Sequence, residues 1–123
     1  MGVRIDAYRN LNDDCISIKS REAKNRGLVI DHVDCAYVKN AEFIVQPSGR
    51  ERVLEEGKKN VHAFVRGVLC ESINTRDETS VAVTYNPKKY SNFVTRDGKR
   101  AVVSAEIATV TTDGVKAYGL EMK

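Results

Sequence analysis

Two Asp-Gly dipeptides in the last third of the sequence constrain the fold more than any other feature. Asp97-Gly98 and Asp113-Gly114 each separate two segments in which apolar and polar residues alternate, and Asp-Gly is a strong signal for a tight hairpin turn. The turns therefore join predicted strands at Phe93–Arg96, Arg100–Val110 and Val115–Gly119. Three strands connected in this way are predicted to form an antiparallel meander.

The rest of the sequence predicts more strands of the same kind. Short apolar runs alternate with turns such as Asn10–Asp14, where Asn and Asp side chains bond to their own backbone. The polar segment 71–80 is predicted to be a surface loop. The predicted strands are Val3–Arg9, Cys15–Lys19, Gly27–Val33, Ala36–Val38, Ala41–Val45 and Val81–Tyr85.

One segment has the signals of a helix. Ser48 followed by Glu51 has the spacing of a capping box, in which each side chain bonds to the other residue's backbone N–H, and Pro47 precedes it. Gly57 provides a stop, and Lys58 lies where the helix dipole favours a cation. The predicted helix runs from Ser48 to Gly57 or Lys58. The fold class is therefore α+β: one domain over residues 1–123, mostly an antiparallel twisted or barrel-like sheet with one short helix packed on it.

The helix is predicted to direct a guanidinium toward the sheet. Arg50 shares one face with Val53 and Leu54 at a rotation of about 100° per residue. A desolvated cation needs an anionic partner. That partner is either a phosphate of a ligand or a carboxylate of the protein, such as Glu42 or Glu106.

The strand predicted after the helix has two unlike faces. Its core face consists of Val61, Ala63, Val65 and Leu69. Its opposite face consists of Asn60, His62, Phe64 and Arg66. A ring for stacking, a guanidinium for phosphate, and an amide and imidazole for hydroxyls or a base edge are what a nucleotide needs. The same pattern is also typical of an antiparallel strand with one solvated face, so both interpretations stay open.

The segment Asn86–Phe93 is a second candidate ligand surface, because it mixes cations, amides and rings after a predicted strand. The alternative is a plain connection whose rings pack inward. Arg26, in the turn before the third strand, adds a further cation. The predicted ligand-binding residues are Arg26, Arg50, His62, Phe64, Arg66, Asn86, Lys88, Tyr90 and Phe93.

Composition narrows the class of protein. The 123 residues are 41% hydrophobic and 30% charged, as expected for one globular domain. A net charge of +3 suits an anionic small molecule and is low for a dedicated DNA-binding protein. The three cysteines, Cys15, Cys35 and Cys70, are odd in number and widely spaced, so we expect them to be reduced in a cytoplasmic protein. No membrane segment or cofactor is expected.

Catalysis is the main alternative to binding. Asp31, His32 and His62 could serve a nucleotide hydrolase or a metal-dependent nuclease. However, Asp31 and His32 point to opposite faces of a strand, whereas a zinc site needs three or four converging ligands. We therefore predict no metal site and no catalytic residue, although many active sites have no local sequence signature. A third possibility is a protein that binds a host protein or a nucleic acid.

Several segments resemble one family. The segments FIVQPSGRERVL, KKNVHAFVRG and YNPKKYSNFV, and an N-terminal hairpin with Tyr8-Arg9-Asn10-Leu11 and Cys15-Ile16-Ser17, resemble the small phage proteins that counter bacterial Thoeris defence. The resemblance covers nearly the whole chain. It implies a sponge that binds cyclic ADP-ribose isomers, or other cyclic nucleotides, without cleaving them. It also implies a homo-oligomer, either a dimer or a hexamer, in the cytoplasm of the infected bacterial host.

Overall fold

A computed structural model describes residues 3–10, 13–22, 24, 26–57, 62–70 and 80–122. The predicted surface loop 71–80 and the predicted residues Lys58, Asn60 and Val61 lie outside this part, apart from Ser80. The elements are β1 (Val3–Asn10), β2 (Cys15–Ser20), β3 (Val29–Val33), β4 (Cys35–Val45), α1 (Pro47–Glu56), β5 (Ala63–Cys70), β6 (Val81–Thr84), β7 (Val94–Thr95), β8 (Val102–Thr111) and β9 (Gly114–Met122).

The strands form one antiparallel sheet, which confirms the predicted fold class. Within the described residues the sheet has nine strands in the order β3-β2-β1-β5-β4-β8-β9-β6-β7. It stays open between β3 and β7, so the barrel-like version of the prediction is not realised. Both Asp-Gly turns lie where predicted: Thr111 pairs with Gly114 in the β8–β9 hairpin, and Val94 bridges Ala101 around Gly98.

A crease, which we define by Asn40 of β4 and Gly119 of β9, crosses the middle of the sheet. Asn40 has φ 50 and Gly119 has φ 65, both in the left-handed region. The β4–β5 pairing shifts between Lys39 and Glu42. Buried positions on β4 accordingly change from Ala36 and Val38 to Ala41. The two predicted strands 36–38 and 41–45 are therefore one strand with a bulge, and bulges of this kind increase local twist.

The sheet buries two hydrophobic clusters. The aliphatic cluster consists of Ile5, Ala7, Ile16, Ile18, Ala36, Val38, Ala41, Val65, Ala108 and Val110. The aromatic cluster consists of Val83, Phe93, Val102, Ala105 and Ala117, with Phe43 and Tyr85 packed against it. The first draws mainly on β1, β2 and β4 and the second on β6 and β9, while β8 contributes to both. No helix of the described residues is long and apolar enough to cross a membrane.

The helix begins one residue earlier than predicted, and its predicted cap is wrong. Gln46 is the N-cap residue, Pro47 occupies the first helical turn, and no side chain caps the helix. Ser48 lies inside the helix and is exposed, so its hydroxyl is not in the capping position. The predicted stop is confirmed, since Gly57 is the left-handed C-cap and donates its N–H to the Val53 carbonyl.

The prediction for the two faces of β5 is half right. Val65 is buried, and Ala63 and Leu69 are partly buried against the two clusters, as expected for the core face. The opposite face is not an open polar surface, because Phe64 is only 7% exposed and His62 only 6%. Neighbouring elements cover both side chains, an effect of tertiary structure that strand periodicity does not reveal.

Candidate functional site

Three aromatic rings meet beside the aromatic cluster. Phe93 follows the segment 86–92 and enters the core, where its ring centroid lies 5.3 Å from that of Phe43 on β4. It also lies 5.3 Å from the ring of Tyr85, which follows β6. The rings are tilted by 55° and 37°, within the range of favourable aromatic contacts. They give the sheet a rigid aromatic wall.

The helix and His62, the residue before β5, hold the Tyr85 side of this wall. The Tyr85 hydroxyl lies 2.6 Å from Nε2 of His62, and the two rings meet edge to face. Burial raises the pKa of Tyr85, while the charge and hydrogen bond of Arg50 lower it. The helix reaches this point closely, since a methyl group on Gly49 would lie 2.5 Å from the His62 Cβ. Tyr85 is thus fixed from two sides.

Arg50 points toward the sheet as predicted, and its hydrogen-bond partners within the protein are backbone carbonyls, not the carboxylates of Glu42 or Glu106. Its Nε donates to the backbone carbonyls of Pro87 and Tyr90, both at 3.0 Å. Carbonyl oxygens accept this N–H without neutralising the charge of the guanidinium. Arg50 therefore fixes the segment after β6 and leaves a positive charge behind Tyr85.

Arg66 has the protein partner that was the alternative to a ligand. Its Nε donates to Asp6 Oδ1 at 2.9 Å across the β1–β5 pair. Asp6 raises the pKa of Arg66 further above its ordinary value. Glu42, which faces Arg66 across the β4–β5 pair, also raises the pKa of Arg66 through its charge. The guanidinium also lies 5.3 Å from the Phe64 ring centroid, a cation–π distance. The pair fastens β5 to β1.

A cleft of about 270 Å³ opens where the two clusters meet. Its apolar floor includes Ala7, Ile16, Val65 and Val110 of the aliphatic cluster and Val83 of the aromatic cluster. Its aromatic and polar lining consists of Tyr8, Arg9, Phe64, Thr84, Tyr85, Phe93, Thr111, Thr112 and Asp113. The cleft therefore combines rings with hydroxyls, one guanidinium and one carboxylate.

The guanidinium of Arg9 is available at this cleft. Arg9 is paired with Asp14, and its Nη1 also lies 3.5 Å from the Cys15 carbonyl. The Asp14 side chain is 82% exposed, and an ion pair at such a surface contributes little stability. An anion bound in the cleft could therefore compete with Asp14 at a small cost.

Apart from Arg66, which is paired with Asp6, the predicted site residues divide into four groups. Phe64 and Phe93 line the cleft, and His62 and Arg50 support it through Tyr85. Asn86, Lys88 and Tyr90 belong to the segment that Arg50 fixes, where Asn86 Oδ1 accepts the Lys88 N–H. Arg26 is exposed in the β2–β3 turn and does not line the cleft.

Sequence reasoning missed Phe43, Tyr85, Arg9 and Asp113. Tyr85 was assigned only to the end of a strand, although an aromatic residue just before Pro87 marks where the chain leaves the sheet. Arg9 follows Ile5 and Ala7 at a spacing of two, which indicates that all three share one face. Phe43 and Asp113 come close to the cleft only through pairing of distant strands, for which the sequence has no local signal.

A second, wider concavity of about 550 Å³ lies along the crease between β4 and β8. Its lining includes the carboxylates of Glu42 and Glu106 and the hydroxyl of Ser104. Two carboxylates without a lining cation disfavour an anionic ligand. The cleft with the aromatic wall is the better candidate for a nucleotide.

The residues of the enzyme alternative lie in two places: Asp31 and His32 on β3, and His62 beside Tyr85. His32 Nδ1 lies 3.1 Å from Ser17 Oγ on β2, and Asp31 accepts the backbone N–H of His32. His62 is buried against Tyr85. In the part of the chain that the structure describes, no three His, Cys, Asp or Glu side chains group as metal ligands.

Comparison with known proteins gives one family. The family described as "Mycobacterium phage L5 gene 82 protein" matches residues 1–118. The gene 82 protein of Mycobacterium phage L5 itself is 27% identical over 121 residues, covering 94% of this chain and 95% of that protein. No solved structure matches the chain.

Proposed function

Because the chain belongs to the family of the Mycobacterium phage L5 gene 82 protein, we propose that it is a phage protein that binds a cyclic nucleotide signal and holds it without cleaving it. A cyclic ADP-ribose isomer is the first ligand to test. This is the anti-defence role expected from the resemblance to anti-Thoeris sponges. The family match supports a phage protein, and the cleft supports a ligand of the nucleotide class.

The observation that carries the proposal is the composition of the cleft lining. Phe93 and Tyr85 offer ring surfaces for a base, and stacking on an aromatic side chain contributes about 1–3 kcal/mol per base. Arg9 offers a guanidinium for phosphate. Asp113 and the hydroxyls of Thr111 and Thr112 can accept hydrogen bonds from ribose, as carboxylates do in other nucleotide sites.

The volume of the cleft limits how the ligand binds. About 270 Å³ is slightly below the roughly 300–1,000 Å³ of ordinary small-molecule sites. The cleft therefore takes one nucleoside half of the ligand, and the pyrophosphate lies at its mouth near Arg9. The other half is left for solvent or for a second subunit, which agrees with the expected dimer or hexamer.

The direct test is native mass spectrometry with a panel of cyclic ADP-ribose isomers and cyclic dinucleotides, followed by denaturation and analysis of the released ligand. We expect one member of the panel to bind and to return intact. Release of a cleaved product would instead support the nucleotide hydrolase. Binding of no member would refute the sponge.

Substitutions assign the site. Arg9→Gln should weaken binding by about 1.5–3 kcal/mol, the range for hydrogen bonds to charged groups. Arg66→Gln is the matched control, because this guanidinium is committed to Asp6. Arg50→Gln should weaken binding less than Arg9→Gln, because Arg50 acts only through Tyr85 and the segment 86–90. If Arg66→Gln and Arg50→Gln lose binding while Arg9→Gln keeps it, the two originally predicted cations hold the phosphate and the cleft assignment is wrong.

A further inference from the structure

A second polar cluster lies on β2 and β3, apart from the cleft lining. Ser17 of β2 and His32 of β3 are directly opposite each other in the strand pairing, and Ser17 Oγ lies 3.1 Å from His32 Nδ1. Cys15, two residues before Ser17 and on the same face, places its Sγ 3.5 Å from the same nitrogen. Ser17 is fully buried, whereas Cys15 is partly exposed and His32 is exposed.

The arrangement contains the parts of an activated nucleophile. A thiol lies within hydrogen-bond reach of an imidazole, and a third group orients that imidazole. Ser17 is the orienting group: Asn10 Nδ2 donates to its oxygen at 3.1 Å, which fixes the hydroxyl against His32. Since Ser17 is closed to solvent, the thiol is the member of the cluster that an external reagent can reach.

The other two cysteines provide an internal comparison. All three are free and partly exposed. Cys70 donates to the Val68 carbonyl at 3.6 Å, and Cys35 has a hydrogen bond with Tyr37 that raises the pKa of that phenol. In the contacts that the structure describes, an imidazole lies beside the thiol only at Cys15.

We propose that Cys15 and His32 form a nucleophilic thiol site for small uncharged disulfides. As the Cys15 sulfur attacks one sulfur of the disulfide, its S–H bond breaks and His32 Nδ1 takes the proton. The S–S bond of the reagent breaks, a mixed disulfide forms on Cys15, and the leaving thiolate takes the proton from His32. The products are one mixed disulfide and one free thiol, so electrons and atoms balance.

The neighbouring charges select uncharged reagents. Asp13 accepts from Asn10, Asp14 is paired with Arg9, and Asp31 accepts from the His32 backbone N–H. These three carboxylates lie within two residues of Cys15 or His32 in the sequence and should repel an anionic disulfide, and the guanidinium of Arg9, which is paired with Asp14, should offset only part of that repulsion. Hydroxyethyl disulfide should therefore react faster than the anionic glutathione disulfide.

The test measures the rate of mixed-disulfide formation at each cysteine by peptide mass spectrometry, with hydroxyethyl disulfide in excess. We expect Cys15 in the native protein to react at least about tenfold faster than Cys35 and Cys70, a conservative value for assistance by a positioned base. In denaturant the three rates should converge. Equal native rates at all three cysteines would refute the site.

Two variants test whether His32 assists the reaction at Cys15 or whether the exposure of Cys15 alone explains its rate. His32→Gln should remove the advantage of Cys15 while leaving the rates at Cys35 and Cys70 unchanged, and His32 is exposed enough for the fold to tolerate the change. Ser17→Ala should reduce the advantage by a smaller factor, as expected for a positioning residue. If His32→Gln retains the native preference for Cys15, exposure alone explains it and the proposal is wrong. Neither result depends on ligand binding at the cleft, so this proposal and the proposed function can fail independently.

Discussion

The two hydrophobic clusters of this sheet are built differently. In the aliphatic cluster, Ile5, Ile16, Ile18 and Val38 are all 0% exposed. In the aromatic cluster, Phe93 retains 7% exposure and Val83 retains 4%, and both border the cleft. Ile5, Ile18 and Val38 lie away from the lining of the cleft, whereas Val83 and Phe93 belong to it. We therefore expect the closed part of the aliphatic cluster to stabilise the sheet, and the aromatic cluster to offer a binding surface above a floor that the aliphatic cluster shares.

Matched deletions of the same two methyl groups test this division. Val38→Ala, in the closed cluster, should lower the free energy of unfolding by about 2–3 kcal/mol through lost burial and a cavity. Val83→Ala should cost about 1–1.5 kcal/mol, since the cleft already lies beside it. Chemical denaturation of both variants measures the difference. Equal losses would show that the two clusters are equally closed.

Substitutions at two adjacent helix positions, Gly49 and Ser48, test whether the helix fixes the aromatic wall. Gly49→Ala places a methyl group 2.5 Å from His62 Cβ and should cost about 1–3 kcal/mol through overpacking. It should also weaken ligand binding, because His62 holds Tyr85. Ser48→Ala is the control and should change stability by less than about 0.5 kcal/mol, since Ser48 is exposed and caps nothing.

A loss near 1 kcal/mol in Ser48→Ala would restore the predicted capping box. Conversely, an unchanged midpoint for Gly49→Ala would show that the helix can move away from β5 freely. In that case the helix would not be what fixes the aromatic wall.

The smallest predicted effect concerns the Tyr85 hydroxyl. Tyr85→Phe removes the bond to His62 and should cost about 1 kcal/mol at neutral pH. Burial raises the pKa of Tyr85 above its ordinary value of 10.0. The Tyr85 phenol therefore ionises less readily in the folded protein than in the unfolded chain. The stability that its hydroxyl contributes is present below pH 10.0 and is lost as the pH rises through the folded pKa.

Denaturation midpoints measured from neutral pH to above the ordinary tyrosine pKa test the sign. Stability of the unmodified protein should fall on the alkaline side, and Tyr85→Phe should have a smaller fall. An identical alkaline slope in both proteins would mean that other groups dominate there.

The strands could be predicted from sequence because their signals are local. Alternation and turn residues gave β1, β2, β3, β6 and the β8–β9 hairpin to within a few residues. The cap of α1 could not be resolved in the same way, because the Ser48–Glu51 spacing competes with Pro47, whose ring fits the first helical turn. The pyrrolidine determined the start of the helix.

The site was harder to predict, because its parts come together through distant pairings. The partner of Arg66 is 60 residues away in the sequence, so nothing near Arg66 identifies Asp6. For the segment Asn86–Phe93, the alternative that the ring of Phe93 packs inward is correct, and the same ring also lines the cleft. His62 and Phe64 were expected on an open face, and periodicity could not show which neighbours would cover them. Whether any of these residues binds a ligand remains a prediction.

The position of β5 has a consequence for how the chain folds. β1–β2–β3 and β8–β9 are hairpins between neighbours in sequence, which form from local contacts. β5 lies between β1 and β4 and joins the N-terminal hairpins to the rest of the sheet. Its pairing with β1 must close a loop of roughly sixty residues, which costs chain entropy before any hydrogen bond is gained. We therefore expect the β1–β5 pairing to form late, and refolding to be slow for a chain of this length.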